Sequence, residues 1–342
     1  MQSRRQFDFE EGVLKIEQIV DDSASQTDLV DSLVASVVGA ESDTEADLSE
    51  KDAVLNYAKE TLAAQDVALS EATAASNAPV LEGIMALENA EVAASIETQL
   101  GSALQTPVAA NVDSESSAAN ARDQVAEAKS SGSGVKVSSA ILSSGAKKVT
   151  VAIPFAVDYL SESAQRYQNQ VIEEANRRGL PPSLVYAIME TESHFNPRAR
   201  SHIPAFGLMQ LVPSSGGLDA YHYVYGEKLV LGPEYYFNPD QNVELGTAYL
   251  DLLLTRYLRA VENEESRTLC AIAAYNTGAG NVARSFSGGT SVRGAAPLIN
   301  ALEPEAVYEH LIANLPYEET RNYVKKVTKA RERYRALDRP SA

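Results

Sequence analysis

The chain of 342 residues is long enough for two domains, carries a formal net charge of −18 and contains a single cysteine, Cys270. Residues 161–342 hold 19 Lys+Arg against 21 Asp+Glu, and residues 1–160 hold 10 against 26, so the net charges are −2 and −16. Such a balance argues against a nucleic-acid-binding surface, which needs clustered cations, and one cysteine excludes an internal disulfide or a cysteine-rich metal site.

Met1–Glu10 shows Arg4 and Arg5 but no apolar stretch of a secretory signal, and no run approaches the roughly 20 apolar residues of a membrane helix. Phe7, Phe9, Val13, Leu14, Ile16 and Ile19 alternate around Glu10-Glu11-Gly12, which predicts a hairpin turning at Gly12. A second pair, Val135–Leu142 and Lys148–Phe155, flanks Ser143-Ser144-Gly145-Ala146, and both pairs are expected to share one small antiparallel sheet. Between them, Leu29, Leu33, Val34 and Val37 mark a short amphipathic helix over Asp28–Val38.

From about Glu41 to Gly134 the chain is rich in Ala, Ser, Glu and Asp, with Tyr57 its one aromatic residue. Such a composition buries too little apolar surface to offset chain entropy. It reads as an acidic, poorly packed insertion, within which Lys51–Leu69 and Leu81–Leu100 have local helix propensity.

After Ser161 the period becomes helical. Ala164, Tyr167, Val171 and Ala175 share a face that stops at Gly179, and Pro181-Pro182-Ser183 opens a helix running to Glu192. Further helices are expected at Gln241–Leu258, Ser266–Tyr275, Pro304–Ala313 and Tyr317–Ala336, and Cys270 reads as a small buried thiol within one of them. The fold class is therefore α+β: a small antiparallel-sheet domain over 1–160 with an acidic, poorly ordered or helical insertion at about 41–134, then a mostly α domain over 161–342.

Glu192 ends an apolar helix and precedes Phe195, a position where burial would raise its pKa into the range of a general acid. A lone Glu near a helix end is most often a surface charge, so its neighbours decide. Glu190 lies about 200° away around the helix and is assigned a solvated or structural role. Gly207 permits a tight turn, Leu208 and Leu211 would anchor a short helix, and Met209-Gln210 offers a soft apolar contact beside an amide able to bind sugar hydroxyl or acetamido groups. Tyr275 and Asn276 precede Gly278 and Gly280, which allow close approach of a ligand; Tyr275 fits either a sugar-stacking ring or ordinary core.

Glu192-Ser193-His194-Phe195-Asn196-Pro197, Ser201, Gly207-Leu208-Met209-Gln210, Ala274-Tyr275-Asn276-Thr277-Gly278 and Glu319-Thr320-Arg321-Asn322-Tyr323-Val324 occur in this order. Together they resemble the lysozyme-like domain of the soluble-lytic-transglycosylase family. A closer likeness, to the membrane-bound lytic murein transglycosylase C branch, extends to Phe7–Gly12 and Val135–Phe155 and leaves the acidic middle unmatched. The resemblance implies a lysozyme-like catalytic domain with Glu192 as acid and base. It implies a positioning serine at Ser201, a saccharide-contacting pair at Met209 and Gln210, a cleft tyrosine at Tyr275 beside Asn276, and a closing pair at Glu319 and Tyr323.

Most glycosidases use two carboxylates, and these motifs supply one convincing candidate. By resemblance, the substrate's own N-acetyl group replaces the second, the product is a 1,6-anhydromuramic acid end, and neither metal nor other cofactor is needed. The expected partners are peptidoglycan glycan strands rather than nucleic acid, and a monomer is expected. The family implies the periplasm, with outer-membrane attachment through an acylated cysteine; neither a signal nor an amino-terminal Cys is visible, and Cys270 lies too deep in the helical half to serve. The rival readings are a muramidase hydrolase of the same fold and a non-catalytic peptidoglycan-binding protein.

Overall fold

The computed structural model describes residues 2–9, 11–20, 25–43, 81, 84–85, 87–105, 108–109, 134–142, 144–156, 158–201 and 204–338. Contacts divide them into two compact units, the first ending at Ser163 and the second beginning at Ala164.

In the first unit, β1 (Gln2–Asp8) and β2 (Val13–Val20) form the expected hairpin, with Phe7 opposite Leu14 and Asp8 opposite Val13. Gly12 turns it at φ +65°, and a Cβ there would lie 3.0 Å from the Tyr159 ring, so glycine is required twice over. β4 (Lys136–Ile141) and β5 (Lys147–Pro154) form the second antiparallel pair, and β5 lies beside β2. A short strand, β3 (Val108–Ala109), adds a parallel edge, giving the order β1-β2-β5-β4-β3.

Alternation on β2 and β5 points Leu14, Ile16, Val149, Val151 and Ile153 into one buried core. Two helices supply the other side of it. α1 (Gln26–Ser42) starts at a capping box in which the Ser25 hydroxyl accepts from the Asp28 N–H and the Asp28 carboxylate accepts from the Ser25 N–H. It buries Leu29, Val30, Leu33 and Val37.

The other helix overlaps Leu81–Leu100, where helix propensity was expected within the acidic middle, and it is well packed. α2 (Asn89–Gln105) buries Val92, Ile96 and Leu100, four residues apart on one stripe, and Leu81 and Ile84 join the same core. Gln99 fastens it to the sheet, donating to the Val135 carbonyl at 2.8 Å and accepting from the Val137 N–H at 3.2 Å. Average composition concealed this stripe, because three well-spaced apolar residues suffice when a sheet face awaits them. Lys51–Leu69 lies outside the described residues.

The run expected as one helix from Ser161 is two, α3 (Tyr159–Arg166) and α4 (Gln168–Arg178), parted at Tyr167 and ended by left-handed Gly179. In the second unit the helices are α4, α5 (Pro182–Ser193), α6 (Gly216–Tyr225), α7 (Pro233–Phe237), α8 (Pro239–Leu252), α9 (Glu264–Thr277), α10 (Ala279–Ser287), α11 (Val292–Asn300), α12 (Pro304–Asn314) and α13 (Glu318–Tyr334). A π-turn, Leu253–Tyr257, prolongs α8, and a 3-10 turn, Arg335–Asp338, follows α13.

α5 is almost entirely buried, from Ser183 through Glu190, and packs along α13, while α9 packs against α10, α12 and α13. Asp338 accepts from both the N–H (2.9 Å) and the hydroxyl (2.6 Å) of Ser183, so the chain's last described residue caps the first turn of α5. Cys270 is fully buried in α9, and burial pushes its thiol up to about 12, so the sulfur stays protonated and inert.

Candidate active site

α5 ends in an unusual turn. His194 (φ 50°) and Phe195 (φ 62°) both adopt the left-handed region, which costs non-glycine residues free energy. What holds them is the Phe195 ring, 2% exposed and packed edge-on against Tyr186 (6.3 Å) and Tyr334 (6.4 Å). The turn reverses the chain directly after Glu192, leaving its carboxyl at the helix end.

The segment Gly207–Gln210 is not the short helix expected but a tight turn. Phe206 and Leu211 pair across its base through two 3.1 Å backbone hydrogen bonds. Gly207 has φ 78°, and a Cβ on it would stand 2.1 Å from the Tyr236 carbonyl and 2.3 Å from Asn242 Nδ2. Asn242, wholly buried on α8, donates to the carbonyls of Phe206 (2.9 Å) and Tyr236 (2.7 Å) and accepts from the Met209 N–H (2.8 Å). The buried Ser193 hydroxyl, at 2.7 Å from the Leu208 carbonyl, ties the same turn to the end of α5. Gln210 is likewise left-handed, at φ 45°, so among the described residues the three non-glycine residues of this kind lie in the two turns joined by Ser193.

Glu192 accepts at Oε1 a 2.7 Å hydrogen bond from the Tyr323 hydroxyl. Burial raises its pKa from 4.5 to about 8, the Tyr323 hydrogen bond opposes that rise, and the Glu319 charge reinforces it. Glu192 as a whole residue is half-buried. Tyr275, nearly buried, donates to the Met209 carbonyl at 2.8 Å, and its hydroxyl is held well above its ordinary pKa by burial and by the negative potential of Glu192.

The structure thus brings Glu192, Met209, Tyr275, Glu319 and Tyr323 into one neighbourhood, by direct contact or electrostatic influence. Asn276 joins it through its Oδ1, which accepts at 2.7 Å from the Thr320 hydroxyl of α13. Gln210 spends its amide N–H groups on the carbonyls of Ala199 (2.9 Å) and Gly207 (3.0 Å), which leaves its side-chain oxygen as the end able to accept from a ligand. Ser201 enters through its backbone, whose N–H closes a loop onto the Ala205 carbonyl.

Met209 departs from the expectation of a saccharide-contacting side chain. It is fully buried, and its sulfur would lie 2.2 Å from a Cβ on Gly246 of α8, so the thioether fills the space that glycine leaves. Glu190 is structural rather than solvated: its carboxylate pairs with Arg333 and accepts at 2.7 Å from the Tyr334 hydroxyl. Asn242, Ser193 and Thr320 carry much of the site's framework, yet spacing gave no sign of it. Among the described residues no group of three or more His, Cys, Asp or Glu side chains could hold a metal ion.

The family described as the transglycosylase SLT domain matches residues 169–293, within this helical unit. Membrane-bound lytic murein transglycosylase C from Histophilus somni is 40% identical over 202 residues, covering 59% of this chain and 55% of its own. Its namesake from Klebsiella pneumoniae is 39% identical over 186 residues, covering 54% and 51%. The chain thus spans about half the length of the curated relatives it matches.

A solved lytic transglycosylase Slt from Pseudomonas aeruginosa is 28% identical over 51% of this chain and 25% of that one, with a TM-score of 0.38. The 70 kDa soluble lytic transglycosylase from Escherichia coli gives 24% identity, 50% and 24% coverage and the same TM-score. Scores at this level bear no weight for the fold. Of the candidate residues, Glu319 and Tyr323 lie beyond the matched SLT segment, on α13.

Proposed function

We propose that this protein is a peptidoglycan lytic transglycosylase in which Glu192 is the single acid and base. The observation that carries the reading is the Glu192 carboxyl itself: placed at a helix end, steadied by Tyr323, and with its pKa raised to about 8. At pH 7 such a group is about nine-tenths protonated, ready to donate. The SLT match and the names of the relatives supply the substrate, murein, and the reaction class.

In the proposed reaction Glu192 gives its proton to the β-1,4 glycosidic oxygen between N-acetylmuramic acid and N-acetylglucosamine. The bond from the muramic anomeric carbon to that oxygen breaks, and the N-acetylglucosamine side leaves as an alcohol. The muramic N-acetyl oxygen attacks the anomeric carbon, supplying the nucleophile that a second carboxylate provides in most glycosidases. The Glu192 carboxylate then takes the proton of the C6 hydroxyl. O6 displaces the acetamido oxygen, the 1,6-anhydro ring closes, and no water is consumed.

The hydrogen bond from Tyr323 favours the carboxylate and burial favours the acid. The two opposing influences suit a group that must both give and take a proton. Tyr275, Gln210 and Asn276 are assigned to binding, with Met209 contributing the carbonyl that orients Tyr275. We place the substrate encounter in the periplasm, with outer-membrane attachment if the native precursor is a lipoprotein; the relatives are named membrane-bound. No helix among the described residues is long and apolar enough to cross a membrane.

The deciding experiment digests purified sacculi with the wild-type chain and with Glu192→Gln, followed by mass spectrometry of the released muropeptides. Anhydromuropeptides from the wild type and none from the variant are expected. Products heavier by one water would indicate a hydrolase, and binding without release would indicate a non-catalytic peptidoglycan binder.

A further inference from the structure

Ring contacts, a hydrogen bond and electrostatic influence together link the surroundings of the candidate acid to an exposed ring on the π-turn. Tyr275, which feels the Glu192 charge, packs its ring on Tyr249 of α8 at 5.4 Å between centroids. Tyr249 is seated on Gly216, where a Cβ would stand 3.2 Å from its ring, and it lies within the electrostatic reach of Asp219 and Tyr257. The last two are joined, Tyr257 donating to Asp219 Oδ2 at 3.2 Å.

The geometry holds Tyr257 out as a platform. Residues 253–257 form a π-turn, closed by the Leu258 N–H on the Leu253 carbonyl at 2.8 Å, a geometry that shifts the register of side chains around the helix. Leu253 and Leu258 on either side are 1% and 0% exposed and root the turn in the core, while Tyr257 is 45% exposed. An exposed ring on a fixed base, hydroxyl tethered, loses little entropy on binding. Beside it, half-buried Asp219 offers carboxylate lone pairs to hydroxyl donors. An apolar face next to a fixed acceptor matches a pyranose, whose C–H face is apolar and whose rim is hydroxyl.

We propose that Tyr257, with Asp219, forms a saccharide-binding platform that takes a sugar of the glycan strand beyond the two joined by the scissile bond. The proposal rests on the glycan-cleaving reading of Glu192. It assigns to the π-turn and the start of α6 a role that none of the sequence motifs indicated. Tyr225, comparably exposed at 46%, belongs to another cluster, packed on Tyr221 at 4.6 Å and bonded to Glu244 at 2.7 Å, and so serves as a control.

The test uses the full chain carrying Glu192→Gln, which binds strands without consuming them, alone and combined with Tyr257→Ala, Tyr257→Phe or Tyr225→Ala. Binding to long, peptide-free glycan strands of peptidoglycan is measured by sedimentation and fluorescence. Tyr257→Ala is expected to weaken binding roughly 3- to 10-fold, the range of one aromatic contact, while Tyr257→Phe and Tyr225→Ala stay within about twofold of the parent. With Glu192 intact, Tyr257→Ala should raise KM and leave kcat unchanged.

Unchanged binding by the Tyr257→Ala protein overturns the platform. So does a loss as large in Tyr257→Phe, which would point to the hydroxyl rather than the ring. If the parent fails to bind strands and the wild type releases no anhydromuropeptide, the glycan-cleaving reading itself falls and the platform with it, a pattern distinct from either.

Discussion

Glu192 illustrates how one side chain ties chemistry to stability. Folding raises its pKa from 4.5 to about 8, so the native state holds this proton more tightly than the unfolded chain. Its contribution to stability is then complete below about pH 4.5 and falls away as pH climbs towards 8, where the buried group must ionise. Glu192→Gln keeps the shape and an oxygen for Tyr323 but cannot ionise. Thermal melts are expected to show the variant level with wild type near pH 4 and several degrees more stable at pH 8; an equal difference at both would contradict the assignment. Tyr323→Phe shifts the same carboxyl in the same sense as the Glu319 charge, upward, by removing a hydrogen bond that favours the charged form. The alkaline limb of the pH–rate profile should move up by about one unit, with turnover lowered about 10-fold because the carboxylate is harder to generate.

Between helices, the Gly207 turn shows why part of the site was legible in the sequence and part was not. A glycine before Leu208-Met209-Gln210 signalled a tight turn, and Glu192, Tyr275 and Tyr323 each lay in a recognisable motif. What the turn rests on was silent, since Asn242 is 35 residues along the chain from Gly207 and an asparagine early in a helix ordinarily faces solvent. Met209 was misread for a related reason: a flexible apolar side chain beside a cleft serves ligand and core equally well, and Gly246 on α8 settled the matter for the core. The same limit hid the packing of α2, whose helix propensity was legible but whose three-residue stripe has meaning only against the β2–β5 face. Asn242→Ala leaves two carbonyls and one N–H without partners and is expected to destabilise the helical unit by about 3 kcal/mol. Gly207→Ala, driven into the Tyr236 carbonyl at a left-handed φ, should cost at least as much. Urea unfolding followed by tyrosine fluorescence measures both, and a loss under about 1 kcal/mol in either would show that the turn relaxes.

Across the molecule, the acid depends on a segment remote from it in sequence. α13 supplies Tyr323 to Glu192, Arg333 and Tyr334 to Glu190, and Thr320 to Asn276, and the turn after it supplies Asp338 to Ser183. Helix α5 is therefore gripped at its start and twice in its last turn by residues 318–338, all of them beyond the matched segment 169–293. Removing those residues takes away Val324 and Val327, both wholly buried, uncovers the face of α5 they pack along, and strips the partners from Glu190. Arg333 is half exposed in its pair with Glu190, so the larger loss is the buried apolar face that α13 shares with α5, set against the ~5–15 kcal/mol that holds an ordinary domain together. A chain ended after Asn314 should lose cooperative unfolding in circular dichroism, become rapidly sensitive to protease and release no anhydromuropeptide. A chain ended after Asp338 should match the full length in all three. Retained activity in the shorter chain would mean that α5 holds its carboxyl in place without α13, contrary to the contacts that join them.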